Sequence, residues 1–191
     1  MPDAQPDELH ARLETYIGKP MGPPALAPDP VNVPMIRHWV AAMDDRNAAY
    51  LDEDGTATKR FGGVVSPPAM LQTWTMPPPK IEGIAERGGA PDAITFDNPI
   101  PVLDEAGYVG TLATNSELEF VRYLRPGDRI HLTMKIETIS PRKTTSLGQG
   151  YFLTWVTTYL DADDEVVGRQ LFRIFKFDPA TIDPAKLGGA S

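Results

Sequence analysis

The chain has 191 residues, 41% of them hydrophobic and 23% charged, the balance of a globular protein with one ordinary core. A formal net charge of −8 disfavours nucleic acid as a main partner, because phosphate contacts need a basic face. The absence of cysteine excludes disulfides, thiolate metal sites and thiol catalysis, and no window approaches the roughly 18 apolar residues of a membrane span. Met1 to Gln5 has neither a basic nor an apolar signal region, so a cytoplasmic protein is expected.

From Glu8 to Ile17, Leu9, Leu13 and Ile17 recur at helical spacing, and Gly18 offers a stop. Six prolines between Pro20 and Pro34 rule out a helix or central strand there, leaving a connector with a short edge strand near Ala25-Leu26. Val33 to Met43 returns to helical spacing, with Met35, Ile36, Trp39, Val40 and Met43 as its apolar face and Pro34 in the first turn. An Asp/Asn-rich loop follows, from Asp44-Asp45 to Asp54-Gly55. Ala69 to Trp74 is helical, with Ser66 as N-cap and Pro67 at the first position. Pro77 to about Ala113 reads as a long irregular insertion, of a length usually functional or held by a partner.

From Asn115 the period becomes two. Leu118 to Tyr123 predicts a half-buried strand, and Pro126-Gly127-Asp128 a turn. Arg129 to Thr138 places Ile130, Leu132, Met134 and Ile136 on one face and His131, Thr133, Lys135 and Glu137 on the other. Gly150 to Leu160 and Val166 to Phe177 are further strands, joined by the turn Asp161 to Asp164. Helices followed by long antiparallel strands predict an α+β fold, a curled sheet around one helix. Residues 1–19 read as an N-terminal helix and lead-in, 20–177 as one domain, and 178–191 as a tail ending near Gly188-Gly189.

Several residues admit two readings each. Asp45 and Asn47 either line a cleft or cap the helix end and build an Asx-type turn. Tyr50 either donates a hydrogen bond to a ligand or packs its ring. Gly62-Gly63 either aims backbone N–H groups at a carbonyl or lets backbones approach closely. Met70, Leu71 and Trp74 have core spacing, with pocket lining as the other option. Lys59-Arg60 and Arg142-Lys143 read as solvated turn residues. His10, His38 and His131 are scattered surface or interface residues, and none forms a metal-ligand spacing.

The run Asp45-Arg46-Asn47-Ala48-Ala49-Tyr50 after an amphipathic helix, then Gly62-Gly63-Val64-Val65-Ser66-Pro67-Pro68-Ala69-Met70, then strands with Pro-Gly-Asp, resembles the MaoC-like (FAS1-type dehydratase N-terminal) family from about Leu9 to Phe177. The resemblance implies a hot-dog fold that pairs into a double hot-dog with an acyl tunnel at the interface. In that family an Asp-x-Asn-Pro-x-His motif holds a water and moves a proton across a thioester-conjugated double bond. Asp45 and Asn47 match the motif, but Ala48 replaces its proline and Tyr50 its histidine. A phenol of reference pKa near ~10 is a poor general base at neutral pH.

Ile36-Arg37-His38-Trp39 through Asp45, with Pro67-Pro68-Ala69-Met70-Leu71-Gln72-Thr73-Trp74-Thr75-Met76-Pro77, is similar to the large subunit of actinobacterial steroid side-chain enoyl-CoA hydratases. By that resemblance a smaller hot-dog subunit carries the Asp/His pair. This chain then lines the pocket of a bulky acyl-CoA with Gly63, Val64, Ser66, Pro67, Met70, Leu71 and Trp74. CoA enters only as part of the substrate, and neither a further cofactor nor a metal is implied. A DUF35-type domain or an aldolase is the other partner implied. Large subunits of that branch often continue into such a domain. Here the sequence stops soon after Phe177, which fits a stand-alone version or a shortened chain. The competing expectations are a self-sufficient hydroxyacyl-thioester dehydratase using Asp45 and Tyr50, and a non-enzymatic acyl-binding scaffold.

Overall fold

The computed structural model describes residues 8–52, 55–78, 81–85 and 96–183. In chain order the elements are α1 (Glu8–Glu14), β1 (Ala25–Leu26), α2 (Val33–Ala42), α3 (Ala48–Leu51), α4 (Thr56–Phe61), α5 (Leu71–Trp74), α6 (Pro99–Glu105), β2 (Gly110–Phe120), β3 (His131–Ile139), β4 (Lys143–Thr145), β5 (Gly148–Leu160) and β6 (Val166–Phe177). Single 3-10 turns precede α5 at Pro68–Met70 and follow β6 at Pro179–Thr181. Local chemistry sets several starts. Asn32 and Asn98 accept from the backbone N–H of Met35 and Ile100, and each is followed by a proline within the first helical turn.

The strands form an antiparallel sheet in the order β1-β3-β5-β6-β2, with β4 paired to β5. Ile130, Leu132 and Ile136 are buried on one face of β3 as their alternation predicts, and a bulge at Ile136/Thr138 shifts the phase so that Ile139 is buried in turn. The covered face divides into two packed regions. In the first, α2, the 3-10 turn and α5 bring Ile36, Val40, Met70, Leu71 and Trp74 onto Leu132, Tyr159 and Val167. In the second, α1 and α6 bring Leu13, Val102 and Leu103 onto Ile136, Tyr151, Leu153 and Ile174. Met134 touches both, and Trp155 and Phe172 sit half-buried beside the second.

The sheet, the edge strand at Ala25-Leu26 and the last strand in the chain, Val166–Phe177, agree with their sequence patterns. Other expectations need correction. The stretch from Pro77 to Ala113 is not irregular throughout: it contains α6 and the start of β2, while 79–80 and 86–95 lie outside the described residues. The prolines at 99 and 101 obscured α6, although Pro99 suits a first turn. β2 begins at Gly110 and ends at Phe120, and apart from half-buried Gly110 it is exposed on both faces rather than half-buried. α1 ends at Glu14, and the tighter turn after it buries Tyr16 and leaves Ile17 42% exposed. Met35 and Met43 likewise leave the buried face of α2. His10 is not a surface residue: its ring stacks at 6.3 Å on Tyr151 and faces Glu14. The tail does not begin frayed, since Thr181 accepts from the Gln149 N–H at 2.7 Å; Gly188-Gly189 lie outside the described residues.

Lys176 is a lysine buried to 2% exposure on the covered face of β6. Its ammonium bonds the Asp104 carboxylate on α6 and donates to Thr111 Oγ1 at 3.0 Å, so one charge ties α6 to the outer strand β2. Removing only the carboxylate leaves a buried ammonium without its counter-charge. Asp104→Ala is therefore expected to lower unfolding free energy by roughly 3 kcal/mol, and Lys176→Met by less than half of that, in urea titrations.

Candidate functional site

The motif loop is built from its own side chains. Asp45 accepts from the Asn47 N–H at 3.0 Å, closing an Asx-type turn, and Asn47 accepts from the Ala49 N–H at 3.0 Å as the N-cap of α3. Asn47 is exposed and Asp45 half-buried. Tyr50 is half-buried and packs against the first core region. Its phenol lies above the ordinary 10.0, first because of burial, then because of the negative fields of Tyr123 and Asp45. A proton held more tightly than usual makes the phenol a donor at neutral pH, not a base.

The loop is fixed to the next segment by the Val65 N–H on the Ala49 carbonyl at 3.1 Å, and that segment to the sheet side by the Ser66 N–H on Leu124 at 2.8 Å. Ser66 does not cap the following helix. Its hydroxyl instead accepts the indole N–H of Trp74 at 3.0 Å, both groups being buried, and Pro67 takes the cap position without a side-chain bond. Val64, Ser66, Met70, Leu71 and Trp74 are all under 9% exposed, and Pro67 is buried with them, so their side chains are packed within this chain.

Gly62 and Gly63 have φ of 74° and 135°, which explains glycine at both positions. A Cβ at Gly63 would meet nothing within 4 Å, so close packing is not the reason for it. Residues 64–67, which belong to no helix or strand, separate the glycines from the next helical turn. The Gly62 N–H is spent on the Lys59 carbonyl at 3.3 Å. The two glycines open on a cleft of about 350 Å³ shared with Val33, Val64, Arg125 and Pro126. Lys59 and Arg60 are exposed on α4, and the Arg60 guanidinium lies 5.7 Å over the Phe61 ring, which packs on Tyr123. A second cavity of about 290 Å³ is lined by Pro68, Phe120, Val121, Arg122 and Tyr123. Arg122 itself is held by Asp128 at 2.7 Å and Asp161 at 2.8 Å. His38 is exposed, and His131 lies 3.2 Å from Asp164. No group of three or more metal-ligating side chains occurs among the described residues, nor any helix long and apolar enough to cross a membrane.

Sequence reasoning missed a polar chain on the covered face. Tyr159 donates to Gln170 Oε1 at 2.9 Å, and Gln170 Nε2 donates to Gln72 Oε1 at 3.2 Å and to Ser116 Oγ at 3.0 Å. Gln170 was legible as the one uncharged polar side chain on the inward-facing period of an otherwise apolar strand half, but its partners are 98 and 54 residues away.

Residues 17–170 match the FAS1-like dehydratase domain region. The chain belongs to this MaoC-like dehydratase family. It is 42% identical over 174 residues to a probable enoyl-CoA hydratase alpha subunit of Thermomonospora curvata, covering 91% of this chain and 53% of that protein. It is 38% identical over 164 residues to the 3-oxo-4,17-pregnadiene-20-carboxyl-CoA hydratase alpha subunit of Mycobacterium tuberculosis, covering 85% of this chain and 50% of that protein. The chain thus spans about half the length of the curated relatives it matches. Among solved structures, the ChsH1-ChsH2 complex of M. tuberculosis superposes with a TM-score of 0.73 at 37% identity, covering 93% of both chains. A MaoC-like dehydratase of Rhodospirillum rubrum, at 20% identity and a TM-score of 0.55, shares the hot-dog fold; it covers 85% of this chain and 92% of that one.

Two outcomes follow from the geometry of this MaoC-like chain. Ser66→Ala would leave the buried Trp74 indole N–H unpaired and is expected to cost about 1–3 kcal/mol in denaturant unfolding followed by tryptophan fluorescence. The Tyr159 phenol is pushed from 10.0 up to about 12, chiefly by burial. Its folded pKa lies above the unfolded one, so its contribution to stability is whole below about pH 10 and is lost as pH rises toward 12. Melting temperatures of Tyr159→Phe should fall less steeply than those of the parent chain across that interval.

Proposed function

We propose that this chain is the alpha-type subunit of a heteromeric enoyl-CoA hydratase. It shapes the pocket for a bulky, steroid side-chain acyl group, and a smaller hot-dog partner supplies the Asp/His acid–base pair. Hydration of an enoyl thioester needs a base to activate water, a donor for the thioester oxygen, and an apolar cavity for the acyl group. The observation that carries the division of labour is at position 50. There the ring is packed into the core and its hydroxyl holds its proton more tightly than a free phenol. Asp45 and Asn47 meanwhile serve the loop and the cap of α3.

The need for a partner has independent support at the sheet edge. β2 is an 11-residue strand at the end of the sheet with one side unpaired. In and around it Val109 is 59%, Leu112 45%, Phe120 44%, Val121 55% and Tyr123 42% exposed. A long open edge flanked by exposed apolar side chains is a liability for a chain living alone and a ready seam for another sheet. The alpha-subunit names of the relatives and the two-component complex among the solved structures agree with this reading. In the assembly the outward side chains of residues 67–74, half-buried Pro68 and exposed Ala69 and Gln72, wall the acyl pocket over the packed Met70, Leu71 and Trp74, and Arg125 and the Lys59-Arg60 pair offer cations to the CoA phosphates.

Following the loss of enoyl-thioester absorbance for this chain, for a small hot-dog partner and for their mixture tests the reading. The mixture should exceed the chain alone by roughly a hundredfold or more, the scale of a missing acid–base catalyst. Brisk turnover by the chain alone, abolished by Asp45→Asn, would establish the self-sufficient dehydratase instead. Charging the seam with Leu112→Lys and Val121→Lys should abolish co-elution of the two subunits in size-exclusion chromatography while leaving the melting temperature of the isolated chain within a few degrees.

A further inference from the structure

The polar chain from Tyr159 outward has a fixed direction. The Tyr159 hydroxyl donates to Gln170 Oε1, which turns the amide nitrogen of Gln170 toward Gln72 and Ser116. Gln72 accepts through its oxygen, so its own NH2 group points away from Gln170, and Ser116 accepts through its oxygen, so its hydroxyl proton is left to donate elsewhere. Neither side chain has another hydrogen-bond partner among the described residues. Gln170 is 3% exposed, whereas Gln72 and Ser116 are exposed. A buried tyrosine thus orients two donors at the surface of the covered face.

What surrounds those donors is apolar and uncharged. Ser116 and Leu118 lie opposite Phe172 and Gln170, and Phe120 opposite Gly168, so Ser116, Leu118 and Phe120 share one face of β2. Phe172 adds a half-buried ring tilted against Trp155 at 5.1 Å. Arg169 and Arg173 fall on the opposite face and are bonded to Glu119 and Thr154, and Lys176 is taken by Asp104. Two donors without a cation suit a neutral acceptor, a carbonyl oxygen, better than an anion.

Position along the strand says which carbonyl. Phe120 shares its cavity with Pro68, and the motif loop is tied to this end of the sheet through Val65 and the Ser66–Leu124 bond. Ser116 is four residues, or about 13 Å, further along β2. Ser116 therefore stands beyond Phe120 from the degenerate motif along an apolar strip, and the Gln72 side chain reaches toward it from α5 through Gln170. Resting on the function proposed above, we propose that Gln72 and Ser116 form a subsite for a ketone oxygen at the remote end of a fused-ring acyl group. Gln170 and Tyr159 are its positioning residues.

The test measures binding of two saturated polycyclic acyl-CoAs, one bearing a remote ring ketone and one with methylene in its place, by titration calorimetry on the full chain assembled with its small hot-dog partner. The parent protein is expected to bind the ketone about tenfold more tightly, the worth of one good hydrogen bond. Gln72→Leu and Ser116→Ala should each remove most of that preference with the methylene ligand unaffected. Tyr159→Phe should erode the preference too, a ratio that general loosening of the fold would not move. Equal affinity of the parent protein for both ligands overturns the subsite. So does an equal loss for both ligands in Gln72→Leu, which would place the donors on the thioester carbonyl or in structure alone. Because both ligands are saturated, binding is read apart from hydration: an inactive mixture that still prefers the ketone refutes the hydratase reading and not the subsite.

Discussion

The hydrogen bond from the Trp74 indole to the Ser66 hydroxyl holds together the half of the molecule that carries the motif loop. It closes the segment Ser66–Trp74 onto itself inside the core, where an unpaired indole N–H would be costly. The backbone of the same segment reaches in two directions, through Val65 to the motif loop at Ala49 and through Ser66 to Leu124 beside the sheet. One buried pair therefore registers loop, helical turn and sheet against each other. Leu71 then settles directly over Gly168, where any side chain on β6 would collide with it. The placement of Gln72 above Ser116 and Gln170 is a consequence of that anchoring.

Much of the fold was legible because its signals are local. The alternation from Ile130 to Ile136 reports a strand with one buried face, and Asn32 followed by Pro34 reports a helix start. The misreadings share a different cause. β2 carries Leu112, Leu118 and Phe120 like a buried strand, yet it lies at the sheet's end and leaves all of them in water. Apolar spacing records a face that is to be covered, not whether the covering comes from the same chain. Ile17 and Met35 failed for a humbler reason: a tightening of the last turn of α1 and a narrow buried stripe on α2 moved the burial by one position.

The candidate site was legible in its motif and illegible in its chemistry. Asp45, Asn47 and Tyr50 stand in a pattern, and the pattern does not say that two of them are consumed by turn and cap. Ser66 shows the same gap in reverse. Serine before Pro67-Pro68 has the look of a cap, but the bond it makes is to an indole eight residues on, chosen by tertiary packing. The chain from Tyr159 to Ser116 could not be read at all, since Gln170 meets Gln72 only after β6 has paired with β2 and α5 has docked.

Under the function proposed above, these details account for a motif loop that keeps its shape with tyrosine at position 50. The loop geometry is secured by Asp45 on the Asn47 N–H and by Asn47 on the Ala49 N–H, neither of which involves position 50. Ala48 begins α3 without help from a proline, because the Asn47 cap already satisfies that end. Position 50 then answers only to packing, and an aromatic ring set against the first core region adds apolar contact. The same burial that favours the ring raises the pKa of its hydroxyl, so the packing gain and the scarcity of phenolate at neutral pH have one cause. On the proposed division of labour, such a fold leaves acid–base chemistry to a neighbour that docks where the sheet is still open.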